Sequence, residues 1–196
     1  MKVAILKYNA GNTHSVALAL RRLGAEVHIT DRPEEIRSAH RVIFPGVGEA
    51  SSAMAYLRMR GLDEVLRSLT QPVLGICLGL QLLCTHSEEG NTDCLGIFPA
   101  KVRRFTGGLK VPHTGWNTLS AIASSPLFQN VPPEAYVYYV HSYYAEVCKH
   151  TVSTSEYGQV ISAGLARDNF FAVQFHPEKS GPVGQTILHN FLNIKI

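Results

Sequence analysis

Three side chains in this sequence could together attack a carbonyl carbon: Cys77, and far downstream of it His176 and Glu178. Cys77 lies in Pro72-Val73-Leu74-Gly75-Ile76-Cys77-Leu78-Gly79-Leu80-Gln81-Leu82-Leu83, an apolar run with a glycine two residues away on each side, followed by helical apolar spacing. A strand that turns sharply into a helix needs small residues where its backbone presses on its neighbours, and Gly75 and Gly79 meet that need. The pattern predicts a nucleophile elbow with Cys77 at its apex. There the first N–H groups of the helix and its positive end favour thiolate over thiol. A cysteine in an apolar run is more often packing than chemistry, yet a packing cysteine has no use for the two glycines.

The second half of the chemistry is His176-Pro177-Glu178, placed at the end of the apolar segment Phe170 to Phe175. Pro177 fixes the turn, so a carboxylate two residues on can stand behind the imidazole, set its tautomer and stabilise the imidazolium. Attack on an amide creates an oxyanion, and removing one preorganised donor to it typically costs about 3 kcal/mol. The candidate donors are the Leu78 N–H at the start of the helix and an N–H of the Gly46-Val47-Gly48 loop.

These groups require a scaffold that brings separated segments to one edge. Val3 to Leu6, Ala25 to Thr30, Arg41 to Phe44 and the strand opened by Pro72 alternate with helical stretches at Thr13 to Leu23, after Pro33, at Ala53 to Leu57 and at Leu62 to Leu69. That alternation of apolar strands and helices predicts an α/β fold with a mainly parallel sheet flanked by helices. Ligands in such folds bind at the carboxyl ends of the strands, so the polar turn after the first strand, the glycine loop after the third and Cys77 after the fourth should converge. From about Leu95 the texture becomes antiparallel: Lys101 to Phe105, Val111 to Asn117, the aromatic run Tyr136 to Tyr144 and Val160 to Ala166 read as short strands, with Gln185 to Leu192 as a closing helix.

Length and composition limit the rest. A chain of 196 residues with 45% hydrophobic and 17% charged residues builds one core, and we expect a single domain over 1–196. A net charge of +3, with basic residues scattered except at Arg21-Arg22 and Lys101 to Arg104, gives no reason to expect nucleic acid. The start Met1 to Leu6 reads as a first strand, without the features of a secretory signal, and no stretch reaches the roughly 20 apolar residues that cross a bilayer. A cytoplasmic location away from membranes is the expectation. The four cysteines, Cys77, Cys84, Cys94 and Cys148, lack zinc-type spacing and are expected to be free thiols, with no metal or cofactor.

Gly75-Ile76-Cys77-Leu78-Gly79-Leu80-Gln81 together with His176-Pro177-Glu178 resembles the class I, or triad, glutamine amidotransferases. Members of that class release ammonia from glutamine through a cysteinyl thioester on a flavodoxin-like core. Tyr8-Asn9-Ala10-Gly11-Asn12, Pro45-Gly46-Val47-Gly48, Pro112-His113-Thr114-Gly115-Trp116-Asn117 and Tyr139-Val140-His141-Ser142-Tyr143 narrow the likeness to the glutaminase subunits of imidazole glycerol phosphate synthase. The resemblance covers essentially the whole chain. Thr114 departs from it, since that family commonly has methionine there, which bears on docking and leaves the triad untouched.

The resemblance implies Cys77 as nucleophile, His176 as base and then acid, and Glu178 as its orienting partner. It implies Val47 and Leu78 as oxyanion donors, after the Gly46-Val47-Gly48 loop reorients. Gly48, Gln81, Glu89, Ser142 and Tyr143 are implied to hold glutamine, with Glu89 suited to its ammonium and Ser142 to its carboxylate. A (β/α)8-barrel cyclase subunit is the implied partner in a heterodimer, met by Asn12, Pro112, Trp116 and Tyr139. A rival glutaminase for another acceptor, such as the one serving pyridoxal phosphate synthesis, does not account for the segment around Trp116. A cysteine peptidase does not account for His-Pro-Glu near the C-terminus, and a silent binding subunit would have no need of an intact triad.

Overall fold

The computed structural model describes residues 1–9 and 11–195. Its first half alternates as the apolar periodicity requires: β1 (Lys2–Leu6), α1 (Thr13–Arg22), β2 (Glu26–Thr30), α2 (Pro33–Ser38), β3 (Arg41–Gly46), α3 (Ala50–Met59), α4 (Leu62–Arg67) and β4 (Val73–Cys77). The next helix, α5 (Leu78–Leu83), follows β4 with no intervening residue. Short strands come next: β5 (His86–Ser87), β6 (Thr92–Asp93), β7 (Lys101–Arg104), β8 (His113–Thr118) and β9 (Ala121–Ile122). The chain ends through β10 (Tyr136–His141), β11 (Tyr143–Ala145), β12 (Thr151–Glu156), β13 (Val160–Arg167), β14 (Phe170–Val173) and α6 (Gly181–Asn193).

An eight-stranded sheet in the order β2-β1-β3-β4-β14-β13-β12-β9 is the frame. Strands β2, β1, β3, β4 and β14 are parallel, and β13, β12 and β9 extend the sheet antiparallel. Successive side chains of a strand point to opposite faces. Val3 and Ile5 of β1, Ile43 of β3 and Leu74 and Ile76 of β4 therefore pack on one side with Val16 and Leu20 of α1 and Ile187 and Phe191 of α6. Leu6, Phe44 and Val73 pack on the other with Ile36 of α2, Met54 of α3, Val65 of α4 and Leu80 of α5. Helices on both faces explain why the central strands are apolar throughout, while β2, at the edge, buries only Val27 and Thr30.

Four expectations change in detail. The aromatic run Tyr136 to Tyr144 is two strands: β10 pairs with β8 in a two-stranded sheet and β11 pairs with β7 in a four-stranded one, with Ser142 at the break. Strand β12 escapes an apolar reading because its buried positions are Ser153 and Ser155. Ser155 is satisfied by hydrogen bonding to Tyr139 Oη (2.6 Å) and by donating to the Thr118 carbonyl (2.7 Å). Helices α3 and α6 begin earlier than their apolar faces suggest, at Ala50 and Gly181, with Pro182 in the first turn of α6, where its missing N–H costs nothing.

The glycines around Cys77 have a steric reason. A Cβ on Gly79 would collide with the backbone carbonyl of Phe44, and one on Gly75 would come within 2.7 Å of Leu83 Cδ1 and 3.0 Å of the Gly79 carbonyl group. Helix α5 thus lies directly on β3 and β4. Backbone cannot step aside as a flexible side chain can, so Gly79→Ala is expected to lower the melting temperature by about 10 °C or more, or to abolish soluble folding. A variant melting within about 2 °C of the parent would show that this contact is not tight.

Candidate active site

Cys77 ends β4 at φ 53° and ψ −107°, a conformation that a residue with a Cβ rarely adopts. The strain persists because β4 is paired on both sides, by β3 and β14, and α5 starts at the next residue. The side chain is 6% exposed, with Sγ 3.8 Å from the Val140 carbonyl and 3.7 Å from Gln174 Nε2. All four cysteines are free thiols.

His176 follows β14, the strand beside β4. Its N–H donates to the Tyr138 carbonyl (2.9 Å), and its own carbonyl accepts from Ser180 Oγ (2.7 Å). Pro177 opens a single 3₁₀ turn over Pro177–Lys179 that folds Glu178 back against the ring. His176 Nδ1 and Glu178 Oε1 are 2.9 Å apart, and both side chains are almost wholly buried. The carboxylate engages Nδ1, which leaves Nε2 for the cysteine, and Nε2 has no other partner among the described residues. Burial works against the imidazolium, but Cys77 and Glu178 together outweigh it and push His176 up to about 10. No hydrogen bond of ordinary geometry joins Cys77 to His176 at rest, and contacts of this kind often tighten only once substrate is bound.

A cavity of about 270 Å³ opens beside the sulfur. It is lined by Val47, Gly48, Leu78, Gln81, Glu89, Ser142 and Tyr143, and by Pro112, Val140 and His141. His176 and Glu178 border a separate, much smaller space shared with Asn12 and Gly46. Cys77 therefore stands between a chamber of substrate size and the buried imidazole. Gln81 Nε2 donates to the Tyr143 carbonyl (2.8 Å) and to Gln174 Oε1 (3.2 Å), tying α5 to β11. His141 Nδ1 also donates to the Tyr143 carbonyl (2.8 Å), and burial holds His141 down at about 3, in its neutral form. Glu89 Oε2 accepts the Ala50 N–H (2.8 Å) at the start of α3, while burial raises its pKa. Val47 is 41% exposed and Gly48 has φ 120°, directly after Gly46, the residue paired with Cys77 in the sheet.

The expected partner-facing residues separate. Trp116 is 55% exposed and packs edge-on against Tyr138, its cross-strand neighbour, while Pro112 borders the cavity. Asn12 caps α1, its Oδ1 accepting from the Ser15 N–H (3.4 Å). Ala10, in the same turn, lies outside the described residues. Tyr139 is the exception: it is fully buried, stacked on His113 with its hydroxyl on Ser155, so its side chain cannot meet a partner. The outward positions of β10 are Tyr136, which is exposed, and Tyr138, which is half-buried, as the alternation Tyr136-Val137-Tyr138-Tyr139 allows when Val137 is taken as inward. Sequence reasoning also misses Gln174, two residues before His176, whose side-chain amide reaches Cys77 Sγ (3.7 Å) and Gln81 Nε2 (3.2 Å). Among the described residues no group of three His, Cys, Asp or Glu side chains is arranged to hold a metal, and no helix is long and apolar enough to cross a membrane.

Residues 4–194 match the family model of class I glutamine amidotransferases. The chain is 53% identical to the imidazole glycerol phosphate synthase subunit HisH of Bacteroides thetaiotaomicron over 99% of its own length and 100% of that protein. It is 48% identical to the subunit of the same name from Idiomarina loihiensis, with 100% of both chains covered. This chain belongs to the class I glutamine amidotransferases, in the HisH family. Solved structures with its fold include PurLQS from Thermotoga maritima, at a TM-score of 0.74 and 16% identity, covering 98% of this chain and 97% of that one. A glutamine amidotransferase at a TM-score of 0.73 and 18% identity covers 93% of each.

The His176 shift makes stability depend on pH. An unfolded imidazole titrates near 6.5 and the folded one at about 10, so the folded state binds the extra proton between them. The stabilisation is complete below pH 6.5 and fades as pH rises toward 10. Melting curves over that range should fall more steeply for the parent than for Glu178→Gln, which removes one of the two partners that raise the ring; parallel slopes would contradict the coupling.

Proposed function

We propose that this chain hydrolyses glutamine to glutamate and ammonia and passes the ammonia to a (β/α)8-barrel cyclase subunit of imidazole glycerol phosphate synthase, in histidine biosynthesis. The observation that carries this reading is Cys77, held at positive φ on the wall of the cavity with the buried His176–Glu178 pair behind it.

The thiolate of Cys77 attacks the side-chain amide carbon of glutamine. The carbonyl oxygen becomes an oxyanion that takes hydrogen bonds from the Leu78 N–H and, after the loop turns, the Val47 N–H. His176, protonated on Nε2, gives its proton to the departing nitrogen, so that ammonia leaves and a γ-glutamyl thioester remains on Cys77. Water then attacks the thioester, with His176 accepting its proton, and glutamate departs as the sulfur is regenerated. Glu178 keeps Nδ1 protonated and the ring oriented throughout. Glu89 takes the ammonium of the substrate, Ser142 and neighbouring N–H groups take the carboxylate, and Gly48, Gln81 and Tyr143 shape the chamber around the chain between them.

The barrel subunit docks across the face that holds Asn12, Pro112 and Trp116, forming a heterodimer. Released ammonia enters at that face. There the partner joins it to a phosphorylated nucleotide-derived precursor, giving imidazole glycerol phosphate and aminoimidazole carboxamide ribotide. Completion of the oxyanion hole by the Val47 loop makes the lone chain a poor glutaminase that its liganded partner activates. The protein works in the cytoplasm as one domain over 1–196, without cofactor, nucleic acid or membrane.

A glutamine-derived chloroketone should label Cys77, and Cys77→Ala should lose both labelling and glutamate release, by about 10⁴-fold or more in rate. Glutamate release by the parent should rise when the barrel subunit and its nucleotide ligand are added. Labelling elsewhere, or full activity in Cys77→Ala, would dismiss the assignment.

A further inference from the structure

Tyr8 lies just beyond β1, outside the expected triad, oxyanion and glutamine-binding sets. Its hydroxyl donates to the Pro45 carbonyl at 2.6 Å, the short end of the range for such a bond. Its ring leans on Phe44, with centroids 5.5 Å apart. The residue after Pro45, Gly46, has no room for a side chain: a Cβ there would run into Tyr8 Oη on one side and come within 2.7 Å of Leu78 Cβ and 3.2 Å of the Gly79 N on the other. The end of β3 is thus clasped between the Tyr8 hydroxyl and the first turn of α5. In register, Pro45 faces Ile76 and Gly46 faces Cys77.

We infer that Tyr8 is a positioning residue for the oxyanion hole: by holding the Pro45 carbonyl and pressing Gly46 toward Leu78, it fixes the spacing between the Val47 and Leu78 N–H groups. The inference rests on the reading of those two groups as the oxyanion donors. The peptide that carries the Val47 N–H begins at Gly46, so the clasped residue is the hinge from which that donor swings. With Pro45 pinned, the loop can turn only from Gly46 onward, and its N–H arrives at one place beside Leu78. Burial first, and the adjacent Cys77 second, push the Tyr8 pKa up, so the hydroxyl keeps its proton and remains a donor through the reaction. Donors aimed at an oxyanion act only once charge develops. Loss of their spacing therefore lowers kcat and leaves glutamine binding nearly unchanged.

The test uses the full chain bound to its barrel partner, with rates expressed per active site titrated by the glutamine-derived chloroketone. Tyr8→Phe keeps the ring against Phe44 and removes the hydrogen bond alone. It should label fully, lower kcat by about tenfold and leave KM within about twofold. Val47→Pro, which deletes the proposed donor, should lower kcat by about a hundredfold. Tyr8→Phe at parental kcat with Val47→Pro impaired overturns the role of Tyr8 and spares the oxyanion reading. Parental kcat in both variants overturns the oxyanion reading itself. A Tyr8→Phe loss that is accounted for by a smaller labelled fraction, or that appears in KM, marks a contribution to folding or binding only and overturns the proposal.

Discussion

The corner where β4 becomes α5 is the constraint on which everything else in this molecule depends. Cys77 is held at positive φ because the strand behind it is locked between two parallel neighbours and the helix ahead is pressed onto β3 without a side chain between them. Backbone strain of this kind costs on the order of 1–3 kcal/mol and survives only where the surroundings overdetermine it. Gly75 and Gly79 supply the close packing, and the buried layers on both faces supply the energy that holds it. The result is a sulfur at the start of a helix, held where its neighbours cannot turn it away.

The charges around that sulfur are arranged by the same logic. A carboxylate and an imidazole that are both nearly dry are costly unless each satisfies the other, and the 2.9 Å pairing of His176 with Glu178 does this for one atom of each. The remaining ring nitrogen has no hydrogen-bond partner among the described residues. A structural ion pair would have no reason to leave that donor unused. Cys77 and Glu178 hold the imidazolium up against the effect of burial, which suits the proton donor that the proposed amide cleavage calls for.

What the sequence makes legible follows from which physical signal each segment carries. The parallel half is readable because its central strands are buried on both faces and helices such as α1 and α3 have one apolar stripe. The elbow is readable because glycines two residues to either side of a cysteine serve a tight strand-to-helix corner and little else. Strand β12 is not, since its inward positions are the serines Ser153 and Ser155, and the hydrogen bonds that satisfy Ser155 are made only after Tyr139 and Thr118 come into place. The break at Ser142 is equally hidden, because an aromatic run looks continuous until its two halves choose different sheets. Likeness of the surrounding segment places Tyr139 among partner-facing residues, whereas strand alternation alone, taken from Val137 inward, gives its burial. Tyr8 belongs to a recognisable turn, but nothing in its spacing tells of a contact with Pro45, far away in sequence and adjacent only once β1 and β3 pair.

The chamber is assembled from both halves of the chain, so its walls depend on the parallel sheet and on the antiparallel strands alike. Val47, Cys77 and Gln81 come from the parallel half, while Ser142 and Tyr143 come from the junction of β10 and β11. Strand β10 is shared between three tasks: the Tyr138 ring stands on the outward face beside Trp116, its backbone carbonyl holds the His176 N–H, and the last residues of the strand, Val140 and His141, line the cavity. A displacement of the Trp116–Tyr138 face would therefore act on a strand already bonded to the His176 N–H and continuous with the cavity wall. A rigid strand transmits a small displacement better than a loop does, because its hydrogen bonds move as a unit. The exposed Trp116–Tyr138 face and part of the cavity wall beside Cys77 thus belong to one pair of strands, with no long relay between them.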